Sequence, residues 1–125
     1  MNKFYLRKKV LVAGGTGMIG ICLVNKLLEY GSQITVVSLE SEEFAYKIFG
    51  KKVRFIQTDL TDFDNCLKVT NGQELVFNLV GIKGSVGIEQ TKAASFLVPM
   101  LRFQTNLMDT SFRNNVSGFL FVSSI

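Results

Sequence analysis

The sequence predicts an α/β protein, a doubly wound parallel sheet of about five strands with helices on both faces. Three observations carry this. Short aliphatic runs alternate with segments of helical period at every step, the pattern that builds parallel sheets through right-handed crossovers. The runs are almost continuously apolar, as strands covered on both faces are. The first run feeds a glycine-rich turn and then a helix, in Val10-Leu11-Val12-Ala13-Gly14-Gly15-Thr16-Gly17-Met18-Ile19-Gly20. The expected strand order is 3-2-1-4-5, with a crevice where the order reverses, beside strands 1 and 4.

Strand 1 is read at Lys9 to Ala13. Helix 1 follows at Met18 to Tyr30, with Ile21, Leu23, Val24, Leu27 and Leu28 in helical period, and Gly31 stops it as a C′ glycine. Strand 2 is Gln33 to Ser38. A short helix follows at Ser41 to Phe49, with Ser41 as its N-cap, Glu42 and Glu43 in its first turn and Gly50 at its end. Strand 3 is Val53 to Thr58. Asp59 to Asp62 turns the chain into a helix capped by Asp62 that runs to about Thr70. Asn71-Gly72 is a turn, and strand 4 is Leu75 to Leu79. Gly81 to Gly87 reads as a flexible, glycine-containing loop. A long helix begins between Ala93 and Pro99 and runs to about Arg113, with Pro99 fitting its first turn best. Asn114-Asn115 ends it, and strand 5 is Gly118 to Val122.

The glycine turn carries the first functional signal. Gly14 permits a sharp turn at the strand end. Gly17 lets the backbone approach a pyrophosphate without a Cβ, and Gly20 lets the helix lie close on the strand. The amides of the helix's first turn then face the phosphates, at the positive end of the helix dipole. Two spacings fit: Gly14, Gly17 and Gly20 give G-x-x-G-x-x-G, while Gly15, Gly17 and Gly20 give the G-x-G-x-x-G dinucleotide fingerprint. The plain alternative is a glycine-rich turn in some other α/β protein, and the strand-then-helix context argues against it.

Size and composition set bounds. The chain's 125 residues suit one core and one domain, and a 47% hydrophobic composition with eleven Phe is that of a packed interior. Its apolar runs are far too short to span a bilayer. Lys3, Arg7, Lys8 and Lys9 precede Val10 to Ala13, but this apolar stretch is too short for the core of a secretion signal. Cys22 and Cys66 show neither pairing nor metal spacing and read as reduced thiols of a cytoplasmic protein. The absence of histidine speaks against metal ligation and against a histidine base. The net charge of +4 suits an anionic ligand. The basic N-terminus reads as solvated rather than nucleic-acid binding, since neither aromatic interleaving nor a basic helix face accompanies it.

Further motifs follow in order: Asp59-Leu60 after strand 3, Phe77-Asn78-Leu79-Val80-Gly81 after strand 4, Asn106-Leu107-Met108 in the long helix, and Phe121-Val122-Ser123-Ser124. With the glycine turn, this set resembles the extended short-chain dehydrogenase/reductases, and within them the NAD-dependent nucleotide-sugar epimerase/dehydratase branch. The resemblance covers the chain from about Val10 to its last residue. It implies a Rossmann-like domain whose Gly14, Gly17, Met18, Ile19 and Gly20 cradle a pyrophosphate, with Gly15 and Thr16 in the same turn. Asp59 and Leu60 would contact the adenine, and Leu79, Val80 and Gly81 the ribose and nicotinamide end. Ser124 would be the catalytic hydroxyl at the substrate oxygen. Strand-end capping by the Ser123-Ser124 hydroxyls is the plain reading of that pair.

Departures from the family pattern matter too. Ser38 stands where the end of strand 2 usually offers an acid to the ribose hydroxyls, and Glu40 follows about twenty residues past the glycine turn. No Arg or Lys adjoins it to neutralise a 2′-phosphate, which favours NAD while leaving NADP open. Counting back from Asn106, the early-helix Asn of the family becomes Met100, so its role is unfilled or moved to Asn106. The family's Tyr-x-x-x-Lys after the Ser is not met before Ile125. Tyr5 and Lys9 have that spacing but precede strand 1, away from the sheet's carboxyl edge.

The expectation is therefore the N-terminal, cofactor-binding part of an epimerase, dehydratase or reductase, truncated before a sixth strand and inactive as a 125-residue chain. The complete protein would take hydride from a carbon of a nucleotide sugar. Strand 5 would be an exposed apolar edge that recruits a second copy or another partner. A non-catalytic NAD(P)-binding module, acting as a redox sensor or partner subunit, is the alternative. A flavodoxin-like or P-loop domain is a third reading, disfavoured in its P-loop form because no Gly-Lys-Ser/Thr follows the glycine turn.

Overall fold

The computed structural model describes residues 3–80 and 93–122. Its sheet comprises β1 (Lys9–Ala13), β2 (Gln33–Ser38), β3 (Arg54–Gln57), β4 (Leu75–Asn78) and β5 (Gly118–Phe121). All pairings are parallel and the order is β3-β2-β1-β4-β5, as the sequence predicts. β1 lies at the centre. Its residues Val10 to Ala13 pair with Ile34 to Val37 on one side and with Leu75 to Asn78 on the other. The helices are α1 (Met18–Glu29), α2 (Glu42–Phe49), α3 (Phe63–Thr70) and α4 (Ala93–Arg113).

Alternation along β1 explains its unbroken apolar run. Val10 and Val12 face one way and join Val24 and Leu27 of α1 and Ala45 and Phe49 of α2. Leu11 and Ala13 face the other way, onto Cys66 and Val69 of α3 and Phe103 and Leu107 of α4. Successive strand residues point to opposite faces, so a strand clad on both sides must be apolar at every position.

The helix ends form as their residues dictate. Ser41 Oγ accepts from the Phe44 amide at 3.1 Å, and Asp62 Oδ1 accepts from Asp64 and Asn65 at 2.9 and 3.3 Å. α1 closes in a Schellman motif: Gly31 takes φ +83°, with Gly31 N–H donating to the Leu28 carbonyl and Ser32 N–H to that of Leu27, both at 3.1 Å. Asn115 takes φ +58°, the left-handed backbone that Asn tolerates, just after α4.

Boundaries differ from expectation by a residue or so. One difference is physical: Pro99 lies within α4, well past its first turn. It has no N–H to give the carbonyl four residues back. The helix is held regardless, because its following turns are buried through Phe103 and Leu107.

Candidate functional site

The carboxyl ends of β1, β2 and β4 open into a crevice. Its larger part, about 590 Å³, is lined by Gly14, Thr16, Gly17, Met18, Ile19, Gly20, Ser38, Leu39, Glu40, Leu79, Val80 and Val122. A smaller slot of about 190 Å³ shares Ser38, Leu39 and Val80 and adds Thr58 to Thr61, Pro99 and Phe103. The two form one groove across the point where the strand order reverses, the place for a ligand in an open parallel sheet.

The glycines of the turn divide by role. Gly14 has φ +78°, and a Cβ there would lie 2.9 Å from the Leu79 carbonyl carbon. Its amide donates to the Val37 carbonyl, and Leu79 N–H donates to that of Ala13, both at 2.8 Å, which ties the turn to both neighbouring strands. Gly15 is buried, and a Cβ there would sit 2.8 Å from Val36 Cγ1. It packs on the core and does not line the groove, although the fingerprint reading counts it. Gly20 would drive a Cβ to 2.5 Å from the Gly14 carbonyl oxygen. Gly17 is different. Its φ of −78° and ψ of 176° suit any residue, and a Cβ would meet nothing nearer than the Gly14 oxygen at 3.6 Å. Neither a steric clash nor a left-handed backbone requires glycine there.

The start of α1 is open as well. Gly17 is its N-cap, with no side chain to accept from the first amides and no acid in the first turn. α2 and α3 are capped by Ser41 and Asp62. The amides of Met18, Ile19 and Gly20 thus have neither an intrahelical acceptor nor a side-chain cap, and such an open helix end is able to receive an anion. The Met18 and Ile19 side chains are exposed beside them.

At the far end of the groove, Asp59 Oδ1 accepts from the Thr61 hydroxyl at 2.7 Å and the Thr61 amide at 2.9 Å. These two bonds hold the Asp59 carboxyl below its ordinary value, the hydroxyl contributing most. Neither uses Oδ2. Leu60 is buried against the core. Asn65 Nδ2 donates to the Asp59 carbonyl at 3.0 Å, and Cys66 Sγ donates to the Leu60 carbonyl at 3.1 Å. Burial pushes the Cys66 thiol up to about 12, with Asp62 and Asp59 adding to the effect, so it stays a protonated donor.

Ser38 lies at the end of β2, with its Oγ accepting from the Glu40 amide at 3.0 Å. Gln57 Nε2 donates to the Leu39 carbonyl at 3.0 Å, so this rim is fixed by side chains on both flanks. Asn78, buried at the end of β4, accepts the Val80 amide on its Oδ1 at 3.1 Å and turns the chain into the groove. Gly81 and Ser124 lie outside the described residues. Tyr5 and Lys9 lie at the opposite edge: Lys9 N–H and its carbonyl both engage Glu74, and Tyr5 stacks on Tyr30 at 5.7 Å. This matches the expectation that their spacing is incidental.

Sequence reasoning missed the contribution of α4 to the slot. Pro99 and Phe103 line it, four residues apart on one face, a spacing that was legible but attached to no motif. Asn106 stands three residues further on, and its Nδ2 donates to the carbonyls of Leu60 and Thr61, each at 3.1 Å.

Among the described residues no helix is long and apolar enough to cross a membrane, and no group of three or more potential ligands could hold a metal.

Comparison with known proteins agrees with this geometry. A family model described as the NAD dependent epimerase/dehydratase family matches residues 10–125. GDP-mannose 3,5-epimerase 1 of Oryza sativa subsp. japonica is 28% identical over 117 residues, covering 93% of this chain and 30% of the rice protein. The structure of UDP-glucose 4-epimerase from Thermotoga maritima, solved with UDP-glucose, superposes with a TM-score of 0.80 at 26% identity, over 93% of this chain and 38% of that one. A uronate dehydrogenase variant from Agrobacterium tumefaciens, complexed with NAD, superposes with a TM-score of 0.73 at 22% identity, over 94% and 41%. The chain thus spans well under half the length of these relatives.

Proposed function

The chain belongs to the NAD dependent epimerase/dehydratase family, and on that premise we propose that its groove binds NAD, as the nucleotide-binding part of an enzyme acting on a nucleotide sugar. The observation that carries this is Gly17. Steric need explains glycine at 14, 15 and 20, whereas a Cβ at 17 would meet no clash, and its absence leaves the backbone open to a ligand. The residues present fit the dinucleotide. The amides of Met18 to Gly20 would hold the pyrophosphate. Asp59, through its Oδ2, and Leu60 would hold the adenine, and Leu79, Val80 and, by the family resemblance, Gly81 would hold the nicotinamide end. Glu40 and Ser38 would hold the ribose, and Glu40 would repel a 2′-phosphate, which favours NAD over NADP.

Bound there, NAD supplies a carbon that accepts hydride from a sugar carbon and can return it. This chain's residues bind and orient the cofactor, and Ser124 is proposed to hold the reacting oxygen. The names of the rice and Thermotoga relatives support a nucleotide sugar as substrate. The 125-residue chain has no Tyr-x-x-x-Lys at the groove, and we expect it to bind cofactor without turnover. We further propose that a second copy or another partner covers the β5 edge, and that the protein is cytoplasmic.

Calorimetric titration with NAD tests the reading. The unmodified chain should bind, and Gly17→Ala should weaken binding by about tenfold or more, roughly 1.4 kcal/mol, while its thermal midpoint moves by roughly 4 °C at most, the response to about 1 kcal/mol. Gly20→Ala should instead lower the midpoint itself, because its Cβ overlaps backbone atoms. Unchanged affinity in Gly17→Ala would sink the proposal.

A further inference from the structure

We propose that Asn106 is a positioning residue for base recognition, holding the Asp59–Thr61 loop so that Asp59 discriminates among purines. The proposal rests on the dinucleotide reading and adds a residue and a specificity to it. Three features converge. First, the loop that floors the slot has two carbonyls, of Leu60 and Thr61, which accept from one Asn106 amide at 3.1 Å each. That bond pair spans 46 and 45 positions of sequence and is a polar tie from α4 to this loop. Second, the same helix supplies Pro99 and Phe103 to the slot. Asn106 therefore fixes the distance between the slot's helix wall and its carboxylate. Third, Asp59 is already set from within its loop, with Oδ1 occupied by Thr61 and Oδ2 not. An oriented carboxylate only accepts hydrogen bonds. It favours a base with an exocyclic amine and disfavours one that presents a carbonyl oxygen there.

Asn114 provides a matched comparison. It also ties α4 to another element, donating to the Leu67 carbonyl at 3.0 Å and to Thr70 Oγ1 at 2.8 Å. Those partners lie in α3, away from the slot. If Asn106 served only to hold α4 down, losing either tie would have the same kind of effect.

The experiment measures affinity of the whole chain for NAD and for nicotinamide hypoxanthine dinucleotide, which carries oxygen in place of the amine. The unmodified chain should prefer NAD by roughly tenfold or more, as one hydrogen bond to a charged group implies. Asn106→Ala should bring that ratio close to one, and Asn114→Ala should leave it intact at a similar thermal midpoint. Should Asn106→Ala not fold, Asn106→Asp keeps the shape, has no N–H to donate, and should show the same loss of ratio. A full ratio retained in the Asn106 variants overturns the proposal. Equal binding of the two dinucleotides by the unmodified chain also overturns it, while leaving the cofactor reading standing. Binding of neither overturns both.

Discussion

At the scale of the residue, the site is made of small departures from what the fold alone demands. Gly17 is a glycine where the backbone needs none, and Asp59 is a carboxylate set by its neighbour rather than by a cation. Thr61 gives Asp59 two hydrogen bonds and holds its pKa low. A carboxyl lowered on folding adds stability in full above its ordinary value near 3.8, and that share is lost as pH falls through the lowered folded value. Thr61→Val removes the larger of the two causes. NMR titration of the Asp59 carboxyl should then give a pKa closer to 3.8 than in the unmodified chain, and stability should depend less on pH below that value. An unmoved titration would mean that the hydroxyl does not hold the carboxylate. Cys66 illustrates the opposite shift. Burial raises its thiol far above neutral, which suits a structural donor to Leu60 and not a nucleophile.

At the scale of the element, helix ends were the most legible features and also the most informative. Ser41 and Asp62 cap α2 and α3 as their side chains require. The absence of such a cap on α1 is therefore a contrast within one chain, not a general property of its helices. Asp62→Ala should cost about 1 kcal/mol, since two amides of α3 lose their acceptor. Urea unfolding should show a lower midpoint at an unchanged slope, and an unchanged midpoint would mean the cap contributes nothing. α4 shows where element-level reasoning stopped short. Propensity put Pro99 in the first turn, but burial of Phe103 and Leu107 holds a longer helix with the proline inside. The same helix brings Pro99 and Phe103 to the groove and Asn106 to the Leu60 and Thr61 carbonyls.

At the scale of the whole molecule, β3 and β5 are the sheet's edges among the described residues. β5 leaves Leu120 and Phe121, and Val122 beyond it, 50%, 46% and 44% exposed. α4 adds exposed Leu97, Leu101, Met108 and Phe112. An apolar strand with open backbone groups is a template for another chain. Sedimentation velocity should show association that grows with protein concentration, and Leu120→Lys with Phe121→Lys should reduce it. A monomer unchanged across the concentration range would refute the proposal for this edge.

The sequence by itself determined the strand order, the caps and the glycine turn. The caps and the glycine turn rest on local rules, a short polar side chain before a helix and glycine where a Cβ would collide, and the strand order rests on the alternation of strands and helices along the chain. Those rules placed Gly14, Gly17 and Gly20 on the turn after β1 and Asp59 and Leu60 on the turn after β3. Only the tertiary structure decided which glycines are required by close neighbours and which one is not, because that depends on what stands opposite each Cβ. It alone assigned Gly15 to the core, since Val36 comes to it from a neighbouring strand. It alone joined Asn106 to Leu60 and Thr61, because a contact across 46 residues exists only once α4 has packed beside α3 on the sheet.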